Sequence, residues 1–104
     1  MGEAEPMPPQ GVFEIQVPLE LEGGTYTNFL SVWHTPFEFT LDFAVTQPGE
    51  RVNPDDPASP IKIPCSVVAR LKIPPSLIFS VLQALNENMS NYEAKFGEIR
   101  RLDQ

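Results

Sequence analysis

From Phe13 onward the chain alternates. Phe13, Ile15, Val17, Leu19 and Leu21 are interleaved with Glu14, Gln16, Pro18 and Glu20, the period of two expected of a half-buried strand. Gly23-Gly24 then predicts a two-residue hairpin turn, because such turns need positive φ. Tyr26 to His34 returns as a second strand. Beyond Thr35-Pro36 the alternation is cleanest: Phe37, Phe39, Leu41, Phe43 and Val45 face one way, and Glu38, Thr40, Asp42 and Ala44 the other. Pro36 fits poorly at the second central position of a two-residue turn, so a four-residue loop from His34 to Phe37 is expected. Ile61, Ile63, Cys65, Val67, Ala69, Leu71 and Ile73 predict a further strand. Pro74-Pro75 ends it and presets a helical turn. Ile78, Val81, Leu82, Leu85, Met89, Tyr92 and Phe96 follow at helical spacing, with Gly97 at the stop and Arg100-Arg101 just past it.

Strand register can be set from the turns alone. A turn at Gly23-Gly24 pairs Leu21 with Tyr26, Leu19 with Asn28, Val17 with Leu30 and Ile15 with Val32. The next turn pairs Val32 with Phe39, Leu30 with Leu41, Asn28 with Phe43 and Tyr26 with Val45. Both hairpins place their apolar residues on one face, which a one-residue slip would scatter. Pro18 and Pro64 fall in the first and last strands, the edges of a meander, where a missing donor is tolerated. A helix of ~21 residues is ~31 Å long, and a nine-residue strand spans ~30 Å. The expected fold is therefore α+β: a four-stranded antiparallel meander with one long C-terminal helix packed on one face. Residues 1–11 are expected to be a disordered leader and 12–104 a single domain, with 46–60 a Pro-rich loop.

The opposite sheet face would carry Phe29, Trp33 and Val68 among Thr40, Asp42, Arg70, Lys72 and other polar residues. Apolar rings on a polar face mark an interaction surface; the other reading is that they cover neighbouring side chains. Asn28 is the odd polar member of the apolar set. It would either specify register or subunit pairing or reach solvent at the sheet end.

Composition narrows the function classes. The 104 residues carry 14 acids and 7 bases, a net charge of −7, which argues against a nucleic-acid surface. The split is uneven: residues 1–56 hold ten acids and one base, residues 57–104 four acids and six bases. Charges of −9 and +2 favour pairing between the halves or between copies. With 41% apolar residues and ten aromatics, a core is affordable, and disorder throughout is not expected. No apolar run reaches the ~20 residues of a membrane span, so no membrane partner is expected. One cysteine rules out an internal disulfide and suits a reducing, cytoplasmic setting.

Chemistry has little to work with. His34, the sole histidine, sits at a strand end and reads as a turn residue rather than a general base. Cys65 is expected on the apolar face as a buried, inert thiol. Metal-ligand spacings and the phosphate-loop pattern are missing, and Asp55-Asp56 reads as a solvated loop. No catalytic residue, metal, cofactor or small-molecule substrate is expected.

Tyr26-Thr-Asn28, Glu38-Phe-Thr-Leu-Asp-Phe43, Ala69-Arg-Leu-Lys-Ile-Pro-Pro75, Leu82-Gln-Ala-Leu85 and Tyr92-Glu-Ala-Lys-Phe-Gly-Glu-Ile99 together resemble a family of small prokaryotic proteins catalogued as a domain of unknown function. The resemblance spans about Tyr26 to Ile99 and implies a stand-alone domain without supplying a mechanism. In element order and acidity alone, the chain also looks like the export chaperone SecB, a fold-level analogy. The expected function is a non-catalytic interaction or adaptor domain, self-associating as a dimer or higher and binding an unidentified protein. The alternative is a SecB-like holdase for unfolded polypeptide.

Overall fold

The computed structural model describes residues 11–101. Its elements are β1 (Phe29–His34), β2 (Phe39–Thr46), β3 (Glu50–Arg51), β4 (Ile61–Lys62), β5 (Cys65–Ile73) and α1 (Ile78–Phe96), with 3₁₀ turns at Leu19–Leu21 and Pro75–Leu77. The mixed α+β class and the long C-terminal helix agree with expectation. The four-stranded meander does not. A three-stranded antiparallel sheet runs in the order β1-β2-β5, and β3 and β4 form a separate two-stranded ribbon.

The missing strand is Phe13–Leu21. Pro18 opens a 3₁₀ turn in which the Leu21 N–H donates to the Pro18 carbonyl at 2.9 Å and the Glu22 N–H to Leu19 at 3.2 Å. Gly24, at φ 72°, then donates to Leu21 at 3.0 Å. Local bonds thus capture the backbone groups that a hairpin with Tyr26–His34 needs, and Phe13 stays 94% exposed. The leader expected over residues 1–11 lies, apart from Gly11, outside the described residues.

The β1–β2 hairpin forms with its register displaced by two residues. His34 faces Phe39, Val32 faces Leu41 and Leu30 faces Phe43. The loop is Thr35 to Glu38, one residue later than expected, because the Thr35 hydroxyl accepts the N–H groups of Phe37 and Glu38 at 3.1 and 3.3 Å. Thr35 also donates its own N–H to the Glu38 carbonyl at 3.0 Å. Phe37 is left in the loop and exposed. An even displacement keeps every side chain on its expected face.

The predicted strand from Ile61 to Ile73 is broken at Ile63-Pro64. Pro64 has no N–H for a ladder, while its carbonyl accepts from Gln47 at 2.8 Å. The residues before the break pair instead with Glu50-Arg51, so the Pro-rich loop 46–60 contains a strand. Ser59 and Asn53 close it: the Asn53 N–H donates to the Ser59 hydroxyl at 3.2 Å, which donates back to the Asn53 carbonyl at 2.8 Å.

Helix α1 does not cover the sheet. Leu82, Leu85, Met89, Tyr92 and Phe96 all remain exposed. The cause lies in the connection. Ile73 and Pro74 each precede a proline, which disfavours the helical region for both, and Pro74 is extended at φ −67°, ψ 148°. A single extended residue between β5 and the 3₁₀ turn carries the helix away from the sheet. The radius of gyration is 21.2 Å, over extents of 83 × 37 × 34 Å, against ~13 Å for a compact domain of this length.

Candidate functional site

The three-stranded sheet presents two faces of different character. On the first, cross-strand rows run Trp33–Thr40–Lys72, then Ser31–Asp42–Arg70, then Phe29–Ala44–Val67. The central strand contributes Thr40, Asp42 and Ala44, and the edge strands, Ser31 apart, contribute larger side chains. Thr40, Ala44 and Asp42 are consequently the buried residues of the described chain, roofed by their neighbours. The Arg70 guanidinium holds the Asp42 carboxylate through two bonds, Nε to Oδ1 at 2.6 Å and Nη2 to Oδ2 at 2.9 Å. Through that bond the guanidinium keeps the Asp42 carboxyl below its ordinary value, against partial desolvation, and the carboxylate raises Arg70. Lys72 Nζ donates to the Thr40 hydroxyl at 3.0 Å and lies 3.9 Å from Glu38. Its ammonium also sits 4.9 Å from the centre of the Trp33 ring, with Arg70 at 5.9 Å, within cation–π range.

Phe29, Trp33 and Val68, the residues expected to mark an interaction surface, are 42–45% exposed. Phe29 and Trp33 stand on this face. Val68 is the extra residue of a β-bulge, since Phe43 faces Ala69 while Ala44 faces Val67.

The bulge has a consequence for Cys65. Beyond it the alternation of β5 inverts, so Cys65 faces Thr46 and Ser66 faces Val45. Cys65 therefore lies on the face opposite the apolar one expected, and its thiol is exposed rather than buried. Asn28 is exposed at the sheet end, where its side-chain carbonyl accepts the Thr46 N–H at 3.0 Å. It extends the ladder by one bond beyond the last strand pair. His34 stacks on Phe39 across the hairpin, with ring centres 5.3 Å apart.

The second face carries Leu30 and Val32 from β1, Leu41 and Phe43 from β2, and Leu71 from β5. On this face Leu30, Val32 and Leu71 are each about half exposed among the described residues. The α1 stripe is a second uncovered apolar surface of matching length: 19 residues, or ~28 Å, against nine residues of β5, or ~30 Å. Helix α1 ends at Gly97, whose φ of 98° suits a residue without a Cβ. The Gly97 N–H donates to the Glu93 carbonyl at 2.9 Å, and the Glu93 carboxylate accepts the Ile99 N–H at 2.9 Å. Among the described residues no helix is long and apolar enough to cross a membrane, and no group of three or more His, Cys, Asp or Glu side chains is placed to hold a metal.

The chain belongs to the family described as protein of unknown function (DUF3467), which it matches over residues 2–101. No curated protein and no solved structure matches it.

Proposed function

We propose that this family member is a non-catalytic protein-interaction module that works as a self-associated assembly. The observation that supports it is the pair of uncovered apolar surfaces, the α1 stripe and the Leu30/Val32/Leu71 sheet face, in one short chain. Large exposed apolar surface on a soluble chain marks an interaction site. Water penalises such surface by ~25 cal/mol per Å², so a second chain that covers it is stabilising. The uneven charge, −9 on residues 1–56 and +2 on the rest, favours contact between unlike halves of two copies. The face bearing Phe29, Trp33 and Val68 has its own cover of ion pairs and rings. It is the surface offered to a different protein. The single thiol supports a cytoplasmic setting.

Sedimentation velocity from low to high micromolar concentration tests self-association. A dimer or larger species is expected, and it should persist in Trp33→Ser, whose change falls on the other face. A strict monomer of 11.6 kDa throughout would refute it. The same uncovered apolar surface also supports the alternative of a holdase for unfolded polypeptide. Suppression of client aggregation at stoichiometric amounts would favour the holdase, and its failure would remove it.

A further inference from the structure

We infer that two copies pair edge to edge through β1, antiparallel about a two-fold axis at Ser31, so that their sheets run on as one. The inference rests on the self-association proposed above and names a contact that produces it.

The order β1-β2-β5 leaves β1 and β5 as the two edges of the sheet. An open edge is a template for another strand, and proteins blunt it with charge, proline or a bulge. β5 has all three. Arg70 and Lys72 lie within it, Pro64 and Pro74 flank it, and its register shifts opposite Phe43/Ala44. β1, Phe-Leu-Ser-Val-Trp-His, has none of them. Its Phe29, Leu30, Val32 and Trp33 remain 43–50% exposed although every residue of the strand is paired with β2.

The backbone groups at that edge follow from the hairpin. Thr35 donates its N–H to the Glu38 carbonyl at 3.0 Å. Bonded pairs recur at every second residue of an antiparallel ladder, so Trp33, Ser31 and Phe29 turn their N–H and C=O groups toward β2. Leu30 and Val32 turn theirs outward.

A second β1 fits this edge because the strand reads alike in both directions. From Phe29 to Trp33 it runs aromatic, aliphatic, serine, aliphatic, aromatic. Antiparallel pairing centred on Ser31 sets Leu30 against Val32 of the second copy and Phe29 against its Trp33, each twice by symmetry. Leu30 and Val32 then form a hydrogen-bonded pair that exchanges both N–H···O bonds. Their side chains meet on the apolar face and the rings on the other, matched cross-strand pairs that stabilise a sheet. Centring on Leu30 or Val32 would instead set Ser31 against an aromatic ring. A two-fold contact demands this self-matching. β1 carries no formal charge, so two chains of −7 meet here without like charges directly opposed. The chain's own alternating stretch, Phe13 to Val17, is held out of the sheet by the bonds of the Leu19–Leu21 turn. Trp33→Ser removes rings from the seam and no ladder bond, so pairing weakens without being lost.

Two measurements test it. In the native chain, hydrogen exchange at the Leu30 and Val32 amides should slow ~10-fold or more from low to high micromolar concentration, because only association protects them. The Ser31 and Trp33 amides, bonded to β2, should stay protected throughout. Ser31→Cys in a Cys65→Ser background leaves one thiol, on the axis. Facing residues of a non-bonded pair lie ~4.5 Å apart at Cα, within disulfide reach, so mild oxidation should yield a covalent dimer. The native chain, whose thiol is on the far edge, should not cross-link. Fast exchange at Leu30 and Val32 in a sample that sediments as a dimer would overturn edge pairing and leave self-association standing. Protection independent of concentration would do the same and assign the edge to Phe13–Val17. Absence of the Ser31→Cys cross-link in a variant that still sediments as a dimer would overturn the axis at Ser31. A monomer at every concentration would overturn both readings.

Discussion

Leu85→Ala puts the uncovered helix stripe to a quantitative test. Leu85 is 65% exposed in the single chain. If it stays so in solution, truncation removes little buried surface, and the cost falls within the ~0.5 kcal/mol typical of surface positions. If a second copy covers the stripe, that 65% is the part it takes from water. Full burial of a leucine contributes ~1.5–3 kcal/mol, so the covered fraction contributes about 1–2 kcal/mol. The cavity left by a truncated side chain raises the total to ~2–5 kcal/mol per site, and a symmetric dimer carries the change twice. Urea denaturation followed by far-ultraviolet circular dichroism, at protein concentrations a hundredfold apart, reads both quantities. For the native chain the midpoint should rise with concentration, since only the folded state associates. Leu85→Ala should lower the midpoint by the larger amount. A midpoint independent of concentration, together with a loss inside ~0.5 kcal/mol, would refute coverage of the helix by another chain.

Three further predictions follow from single contacts. A Cβ on Gly49 would stand 2.5 Å from Ile61 Cγ2 and 3.1 Å from Ile63 Cγ1, so Gly49→Ala should destabilise the β3–β4 ribbon by about 1–3 kcal/mol; hydrogen exchange should quicken at the Val52 amide, bonded to Pro60 at 2.9 Å, and not in β2. The Asp42 carboxyl is depressed in the folded state by Arg70, so the unfolded chain binds the proton more readily. The stabilisation is therefore present above the unfolded value near ~3.9 and is lost as pH falls through the lower folded value; the stability gap between native and Asp42→Asn chains should shrink over that acid range, and a gap constant with pH would contradict the pairing. Replacing Pro74 and Pro75 with glycine frees the Ile73 backbone for reversal, so the doubly substituted chain should show a larger monomer fraction at low concentration in sedimentation.

Much of the sheet was legible from residue order because the period of two is a local property. Phe39, Leu41 and Phe43 fall on one face and Thr40, Asp42 and Ala44 on the other whatever the loop does, and the even displacement of the hairpin left those faces intact. The bend at Pro74-Pro75, the helix phase from Ile78 to Phe96 and the stop at Gly97 were likewise written in residues whose own backbone preferences decide them. Cys65 was misplaced because a single extra residue at Val67-Val68 inverts every alternation beyond it, and whether that residue bulges depends on the partner strand.

Which surfaces meet was beyond the reach of pattern. Periodicity says that Phe13, Leu30 and Leu85 each belong to an apolar face, yet it cannot say what covers that face. Only the assembled chain shows that local turn bonds at Leu19–Leu21 hold the first segment out of the sheet. It also shows that the small central side chains of β2 make the polar face the dry one. Likewise, an extended proline carries α1 away from the strands it was expected to cover. The hydrophobic effect is non-directional: it fixes how much surface seeks cover, while the geometry of a few connecting residues decides where that cover is found.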